Sequence, residues 1–353
     1  MPATTTSPLP RGVDDLDPEW LTAALRGAGA LDADASVTGV RAERIALDTG
    51  FSSELHRLHL SGAPGAPETL VAKLPTTTAV RDAMDLVGGY EREVAFYRDV
   101  APHAPIGCAR AYVAELAPDS TDFVLLLEDL GAWENASHLV GLGLDRARTC
   151  LQELAGLHRW SAGREDLDAF GLLDRPVTRQ AFPALFAEGW AVTREVARRP
   201  LPPAVVAFGE TFAERSGRAL ELLVERPALV NGDVRADNLF FRGDRMKVVD
   251  FQLTTRAAGA ADVAYLVSQG LTTEQRDGRD EELVREYLDA RGDDDFDATW
   301  REYRAATAFS LVYPVIAMRG WELLPEGARE LLLRLVERSV ACIEDVEALE
   351  VLA

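Results

Sequence analysis

The feature that most constrains this chain is the stretch from Leu229 to Gln252. It reads Leu-Val-Asn-Gly-Asp-Val-Arg-Ala-Asp-Asn-Leu-Phe-Phe, then an Arg-Gly-Asp-Arg turn, then Met-Lys-Val-Val-Asp-Phe-Gln. In physical terms this is a strand end, a polar loop, and a hairpin that turns at Gly243-Asp244 and returns on an apolar strand. Asp233 and Asn238 fall on the loop, and Asp250 falls at the end of the second strand. Two carboxylates and a carboxamide make a poor core but a good site for a hard cation. Mg²⁺ takes oxygen ligands, few of them from protein, and phosphate oxygens complete its shell. Asn238 and Asp250 are therefore the expected metal ligands. Asp233 is then left to accept a proton from, or to orient, an attacking hydroxyl.

These residues carry a resemblance. Asn231-Gly232-Asp233, four residues, Asn238, and then Val249-Asp250-Phe251-Gln252 resemble the catalytic core of the aminoglycoside phosphotransferase superfamily. The Asp-Phe-Gln ending and the later Asp262-Val263-Ala264-Tyr265-Leu266 are most similar to its ecdysteroid-kinase-like and choline-kinase-like branch. The resemblance implies a two-lobed, protein-kinase-like α+β fold. It also implies an enzyme that uses ATP and Mg²⁺ to phosphorylate a hydroxyl of a small molecule. The chain departs from the pattern at Asn231, where the family carries His before Gly-Asp.

The rest of the chain bounds the reading. Its 353 residues suit two lobes with real cores: residues 1–130 as a β-rich nucleotide lobe and 131–353 as a helical lobe. The longest apolar candidate for a membrane span, Phe309 to Met318, is short and interrupted by Pro314, so no membrane partner is expected. Met1 to Pro10 lacks the basic start and apolar core of a signal peptide. Three scattered cysteines give no disulfide framework, and the expected setting is a reducing cytoplasm. With 37 Lys plus Arg against 58 Asp plus Glu, the surface repels polyanions, and nucleic acid is not an expected partner. The same charge is compatible with steering a cationic substrate, or simply with solubility.

From the N-terminus, Asp17-Pro18 reads as a helix start, with Asp17 as N-cap and Pro18 in the first turn. Short strands follow at Val37-Val40 and Leu55-Leu60. Asp48-Thr49-Gly50-Phe51-Ser52-Ser53 joins them, and there Ser52 and Ser53 offer donors to phosphates. Leu70-Val71-Ala72-Lys73-Leu74 sets a lysine inside an apolar strand, which is costly unless an anion meets it. Resemblance makes Lys73 the phosphate-binding lysine and Glu93, on a helix from about Asp82 to Val100, its partner. Glu93 lies beside Tyr90, Phe96 and Tyr97, whereas Glu91 is expected to be more exposed.

Phe123 to Leu127 is a buried strand ending at Glu128-Asp129-Leu130-Gly131, the form of a kinase hinge. There the Glu128 carbonyl and the Leu130 N–H are expected to meet an adenine edge. Leu144 to Ala162 is an amphipathic helix carrying His158, which is expected to be structural. Further helices are expected at Pro202–Glu225, Glu281–Ala290, Ala298–Arg319 and Pro325–Leu349. Only Gln252 to Ala261 separates Asp250 from the helix that Asp262 starts. A protein kinase needs a long activation segment there, so the acceptor is expected to be a small molecule. Asp262 itself reads as an anchor for the catalytic loop. Trp300, Tyr303, Tyr313 and Trp321 are read either as core or as the wall of an apolar pocket.

The chain is expected to act as a monomer or homodimer. Two rival readings stay open: an antibiotic-resistance kinase for aminoglycosides, which the acidic charge favours, and a nucleotide-binding regulator without catalysis, which Asn231 suggests.

Overall fold

The computed structural model describes residue 2 and residues 9–45, 53–62, 64–76 and 80–353. Ser52 and most of the join that holds it lie outside the described residues. The chain divides into two compact units. The first comprises Met1–Ala104, Cys108–Glu134 and Val249–Leu253, and the second Pro105–Gly107, Asn135–Val248 and Thr254–Ala353. Asp250, on the segment Val249–Leu253, thus belongs with the N-terminal unit although it lies far along the chain.

The first unit is a five-stranded antiparallel sheet with a helix on each face. Helix α1 (Pro18–Gly27) starts as its sequence dictates: the Asp17 carboxylate accepts the Trp20 N–H at 2.8 Å, and Pro18 fills a position that needs no donor. Strands β1 (Gly39–Ile45), β2 (Ser53–Ser61) and β3 (Thr69–Pro75) follow. Then come helices α2 (Val80–Val87) and α3 (Gly89–Ala95) and strands β4 (Ala111–Leu116) and β5 (Phe123–Glu128). The strand order is β1-β2-β3-β5-β4, so β3 is interior. Successive side chains along a strand point to opposite faces. Leu70, Ala72 and Leu74 of β3, with Val124 and Leu126 of β5, pack with Trp20, Leu21 and Leu25 of α1. Lys73 and Phe123 fall on the other face, towards α3, where Tyr90 meets Phe123 at 4.8 Å between ring centroids.

The two-residue strand β6 (Glu134–Asn135) leads into the main part of the second unit, and there Asn135 gives its side-chain amide to the Asp237 and Leu239 carbonyls. Helices α4 (Leu144–Ser161), α5 (Pro176–Val196), α6 (Pro203–Glu210) and α7 (Phe212–Leu223) lead to strand β7 (Pro227–Val230). The hairpin β8 (Leu239–Arg242) and β9 (Arg245–Val248) turns at Gly243, whose φ of +63° suits glycine. Strand β10 (Thr255–Ala258) pairs antiparallel with β7. The segment after Asp250 is therefore not a bare linker. Helices α8 (Ala260–Tyr265), α9 (Thr273–Arg276), α10 (Asp280–Arg291), α11 (Phe296–Ser310), α12 (Val312–Ala317) and α13 (Glu326–Asp345) complete the unit. Among the described residues no helix is long and apolar enough to cross a membrane.

Four helices differ from the sequence expectation. The one expected from about Asp82 to Val100 breaks at Gly88, whose φ of +66° ends α2 before α3 begins. The helix expected over Pro202–Glu225 breaks at Thr211, whose hydroxyl donates to the Ala207 carbonyl at 2.8 Å and so competes with the backbone ladder. The one expected over Ala298–Arg319 stops at Ser310, four residues before Pro314, which has no N–H to return to that turn. Helix α5 was not foreseen. It carries Pro183 inside it, which obscures its pattern in the sequence.

Candidate active site

Two clusters form, one in each unit. In the first unit, Lys73 of β3 is buried, 6% exposed, and its Nζ lies 2.7 Å from Oε2 of Glu93 and 3.6 Å from Oδ1 of Asp250. Glu93 is 1% exposed, as strand and helix periodicity require of residues that face each other; Glu91 is only half-buried. Burial alone pushes the Lys73 amine down, but Asp250 and Glu93 together hold it above its ordinary value. Lys73 is therefore a protonated, fixed cation.

Asp250 has φ +66°, a left-handed conformation that few non-glycine residues take. The next two side chains anchor it. Phe251 is fully buried and stacks on Phe96 at 3.5 Å between centroids. Gln252, buried, donates from Nε2 to the Ser53 hydroxyl at 3.1 Å and also hydrogen-bonds the Glu93 side chain. Gln252 thus ties the start of β2 to the Lys73–Glu93 pair, a link that the sequence reading missed because 199 residues separate it from Ser53. Ser53 itself is 5% exposed. At the end of β5, the Glu128 N–H bonds the Arg110 carbonyl at 2.8 Å, and Leu130 is buried two residues on.

In the second unit, the loop after β7 is held by its own polar groups together with Asp262 of α8. Asn231, fully buried, accepts the Asp233 N–H on Oδ1 at 2.9 Å. Asn238 donates its side-chain amide to the Asp233 carbonyl at 2.9 Å and to the Asp233 carboxylate at 3.0 Å, closing the loop. Below it, Asp262 in the first turn of α8 accepts the N–H of Asn231 at 2.8 Å and that of Gly232 at 2.9 Å. The same carboxylate hydrogen-bonds His158 Nε2 at 3.2 Å, and the Tyr287 hydroxyl hydrogen-bonds His158 Nδ1 at 2.9 Å. His158 is fully buried and carries structure, as its sequence position suggested. Gly259 leaves the room: a Cβ there would stand 2.3 Å from the Tyr287 hydroxyl and 2.6 Å from His158. The Tyr265 hydroxyl is a further partner of the Asp233 carboxylate, and burial, then Asp233, push it well above its ordinary range.

Asn238, in the second unit, spends its amide hydrogens on Asp233 and keeps Oδ1 as an acceptor atom. The Asp250 carboxylate is partly open, at 27% exposure. Both are oxygen ligands of the kind Mg²⁺ takes. Of the four aromatics weighed as a pocket wall, Tyr313 lines a cavity with Gly232 and Tyr265, whereas Tyr303 is buried and stacks on Trp300 at 5.2 Å.

Residues 49–291, more than half of the chain, match the ecdysteroid kinase-like family. The chain belongs to that family. Solved structures similar to this ecdysteroid kinase-like protein share its fold at low identity. The choline kinase of Cryptosporidium parvum is 11% identical, covering 93% of this chain and 95% of its own, with a TM-score of 0.60. A choline/ethanolamine kinase family protein from Mesorhizobium loti is 17% identical over 90% and 92%, with a TM-score of 0.51. An aminoglycoside 2'-phosphotransferase-IIIa, solved as its GDP complex, is 14% identical over 87% and 94%, with a TM-score of 0.54. No curated protein matches the chain. The ecdysteroid kinase-like fold seen here is the protein-kinase-like α+β fold expected from the sequence, β-rich in its N-terminal region and helical in its C-terminal region.

Proposed function

We propose that this protein moves the γ-phosphoryl group of ATP to a hydroxyl of a small molecule with the help of Mg²⁺. The observation that carries the reading is the buried cation Lys73, fixed between Glu93 and Asp250. A lysine held this way is a poor core residue and a good clamp for phosphate oxygens.

In this reading Lys73 binds the α- and β-phosphates and Glu93 positions it. Ser52 and Ser53 cover the phosphates, and the Glu128 carbonyl and Leu130 N–H hold the adenine edge. Asn238 Oδ1 and the Asp250 carboxylate are the oxygens assigned to Mg²⁺, which when bound neutralises charge on the phosphates. Asp233 takes the proton of the acceptor hydroxyl. As the acceptor oxygen forms its bond to the γ-phosphorus, the bond from that phosphorus to the bridging oxygen breaks, and ADP leaves with the electron pair. The transition state is loose, so positioning and charge neutralisation supply most of the rate. The relatives described as choline kinase and aminoglycoside phosphotransferase support this reaction class.

A thermal-shift series tests the nucleotide and metal assignments. A ligand that binds only the folded state stabilises it, by about 2.7 kcal/mol at a hundredfold excess over Kd. MgATP raises the melting temperature more than ATP with a chelator, and Asp250→Ala removes most of the difference. Equal stabilisation with and without Mg²⁺ refutes the metal assignment.

A further inference from the structure

Arg57 lies in β2, opposite Val71 of β3, and Val71 lies opposite Leu127 of β5. Two residues earlier in β2, Leu55 lies opposite Lys73. Residues opposite each other in an antiparallel sheet share a face, so Arg57, Val71 and Leu127 stand on the face that carries Lys73. Leu70, Ala72 and Leu74 take the other face, against α1. Leu55 and Val71 are only half-buried, an apolar strip beside the buried cation.

From this face Arg57 reaches the turn that follows β5. Its Nε donates to Asp129 Oδ2 at 2.8 Å and its Nη2 to Oδ1 at 3.2 Å, a two-point fork. The same Oδ1 accepts the Gly131 N–H at 2.9 Å. The Asp129 side chain is 8% exposed, so the fork closes on an acceptor shielded from water. Burial pushes the Asp129 carboxyl up, but Arg57 and the Gly131 N–H hold it below its ordinary value, and it stays an anion. A Cβ on Gly131 would stand 2.9 Å from Arg57 Nη2 and 3.1 Å from Asp129 Oδ1, so glycine leaves room for the fork. Between the two anchored residues lies Leu130, itself buried. Its carbonyl accepts the Trp133 N–H at 2.8 Å, and among the described residues its own N–H has no hydrogen-bond partner. An unpaired N–H on a buried residue is uncommon, and water or a ligand satisfies it.

We propose that Arg57 and Asp129 are positioning residues for the nucleotide base: their fork fixes the turn so that the Leu130 N–H and the Glu128 carbonyl present an edge that adenine matches. This rests on the phosphotransferase reading above. Adenine sets a ring-nitrogen acceptor beside an amino donor, the complement of that N–H and carbonyl. Hypoxanthine sets an N–H and a keto oxygen in the same places, the reverse pattern.

The test is calorimetric binding of ATP and ITP, each with Mg²⁺, to the full chain. The two carry the same triphosphate, so the ratio of their affinities reports the base. The wild type prefers ATP. Arg57→Met weakens ATP roughly tenfold and ITP by less than about twofold, the loss of one well-placed contact, and the preference collapses. Arg57→Lys keeps the charge but not the fork, and Asp129→Asn keeps an acceptor but not the charge; each loses part of the preference. An ion pair that only holds the fold would weaken both triphosphates alike, or lower the melting temperature, and leave the ratio unchanged. The proposal is overturned if Arg57→Met keeps the wild-type ratio, or if the wild type binds ATP and ITP equally. Should Arg57→Met not fold, Arg57→Lys and Asp129→Asn decide on the same ratio. A wild type that binds neither triphosphate overturns the phosphotransferase reading and this assignment with it. A wild type that prefers ATP, beside an Arg57→Met variant that prefers it equally, overturns this assignment alone.

Discussion

Lys73 and Glu93 meet at 2.7 Å inside the first unit, with side chains 7% and 1% exposed. Two periodicities bring them together. Lys73 lies on the face of β3 opposite Ala72 and Leu74, and Glu93 lies on the buried face of α3 with Tyr90. Asp250 stands 3.6 Å from the same ammonium, so one cation serves two carboxylates.

Removing one partner of a buried ion pair costs about 3–5 kcal/mol, because the other charge is left without compensation. Lys73→Met leaves both Glu93 and Asp250 without their cation and is expected near that range in urea unfolding of the apoprotein. Glu93→Gln costs less, since Lys73 keeps Asp250. If Glu93→Gln is the more damaging substitution, the pairing described here does not hold the unit together.

A second prediction concerns Asn231, where the chain departs from the family pattern. There Asn231 Oδ1 accepts the Asp233 N–H at 2.9 Å. Asn231→Asp preserves that acceptor. Asn231→Leu loses about 1 kcal/mol of hydrogen bonding, which corresponds to roughly tenfold in rate when the position of Asp233 is what suffers. Steady-state ADP release for the two variants checks this; equal activity in Asn231→Leu and the wild type would show that the contact does not orient Asp233.

The third prediction is a pH effect. Burial, then Arg338 and Arg235, push His138 down from 6.5 to about 3. Its Nε2 lies 3.3 Å from Arg338 Nη1, and its backbone N–H bonds Asp237 at 2.7 Å. The unfolded chain takes up this proton near the ordinary value, the folded chain only near the depressed one. Between them the unfolded state binds more protons, so stability falls as pH falls. From pH 7 to pH 5 this site alone removes about 2 kcal/mol. His138→Gln, an uncharged replacement, shows a shallower decline over that interval in urea melts. Parallel declines would mean that His138 is not held neutral.

Much of this arrangement is legible in the sequence where neighbours in the chain are neighbours in space. The Asp17 cap, the Gly243 turn and the loop from Asn231 to Asn238 are local, and local chemistry decides them. Burial of Lys73 follows from an apolar strand, and the choice of Glu93 over Glu91 from helix periodicity. What is not legible is set at a distance or by competition. Gln252 finds Ser53 only after the sheet has formed, and the pairing of β10 with β7 hides in a ten-residue stretch that looks like a linker. Thr211 and Pro314 break helices whose apolar pattern runs on through them.

The central claim is that Asp233 accepts the proton of an acceptor hydroxyl while Lys73, Asn238 and Asp250 manage the nucleotide. The most direct measurement is acceptor-stimulated ADP release with MgATP, for the wild type and Asp233→Asn, beside the ATP affinity of each. The account predicts that an acceptor accelerates the wild type. It also predicts that Asp233→Asn lowers turnover by roughly 10² or more while ATP binding stays nearly unchanged. A wild type whose ADP release no acceptor stimulates, or an Asp233→Asn variant that turns over as fast as the wild type, contradicts it.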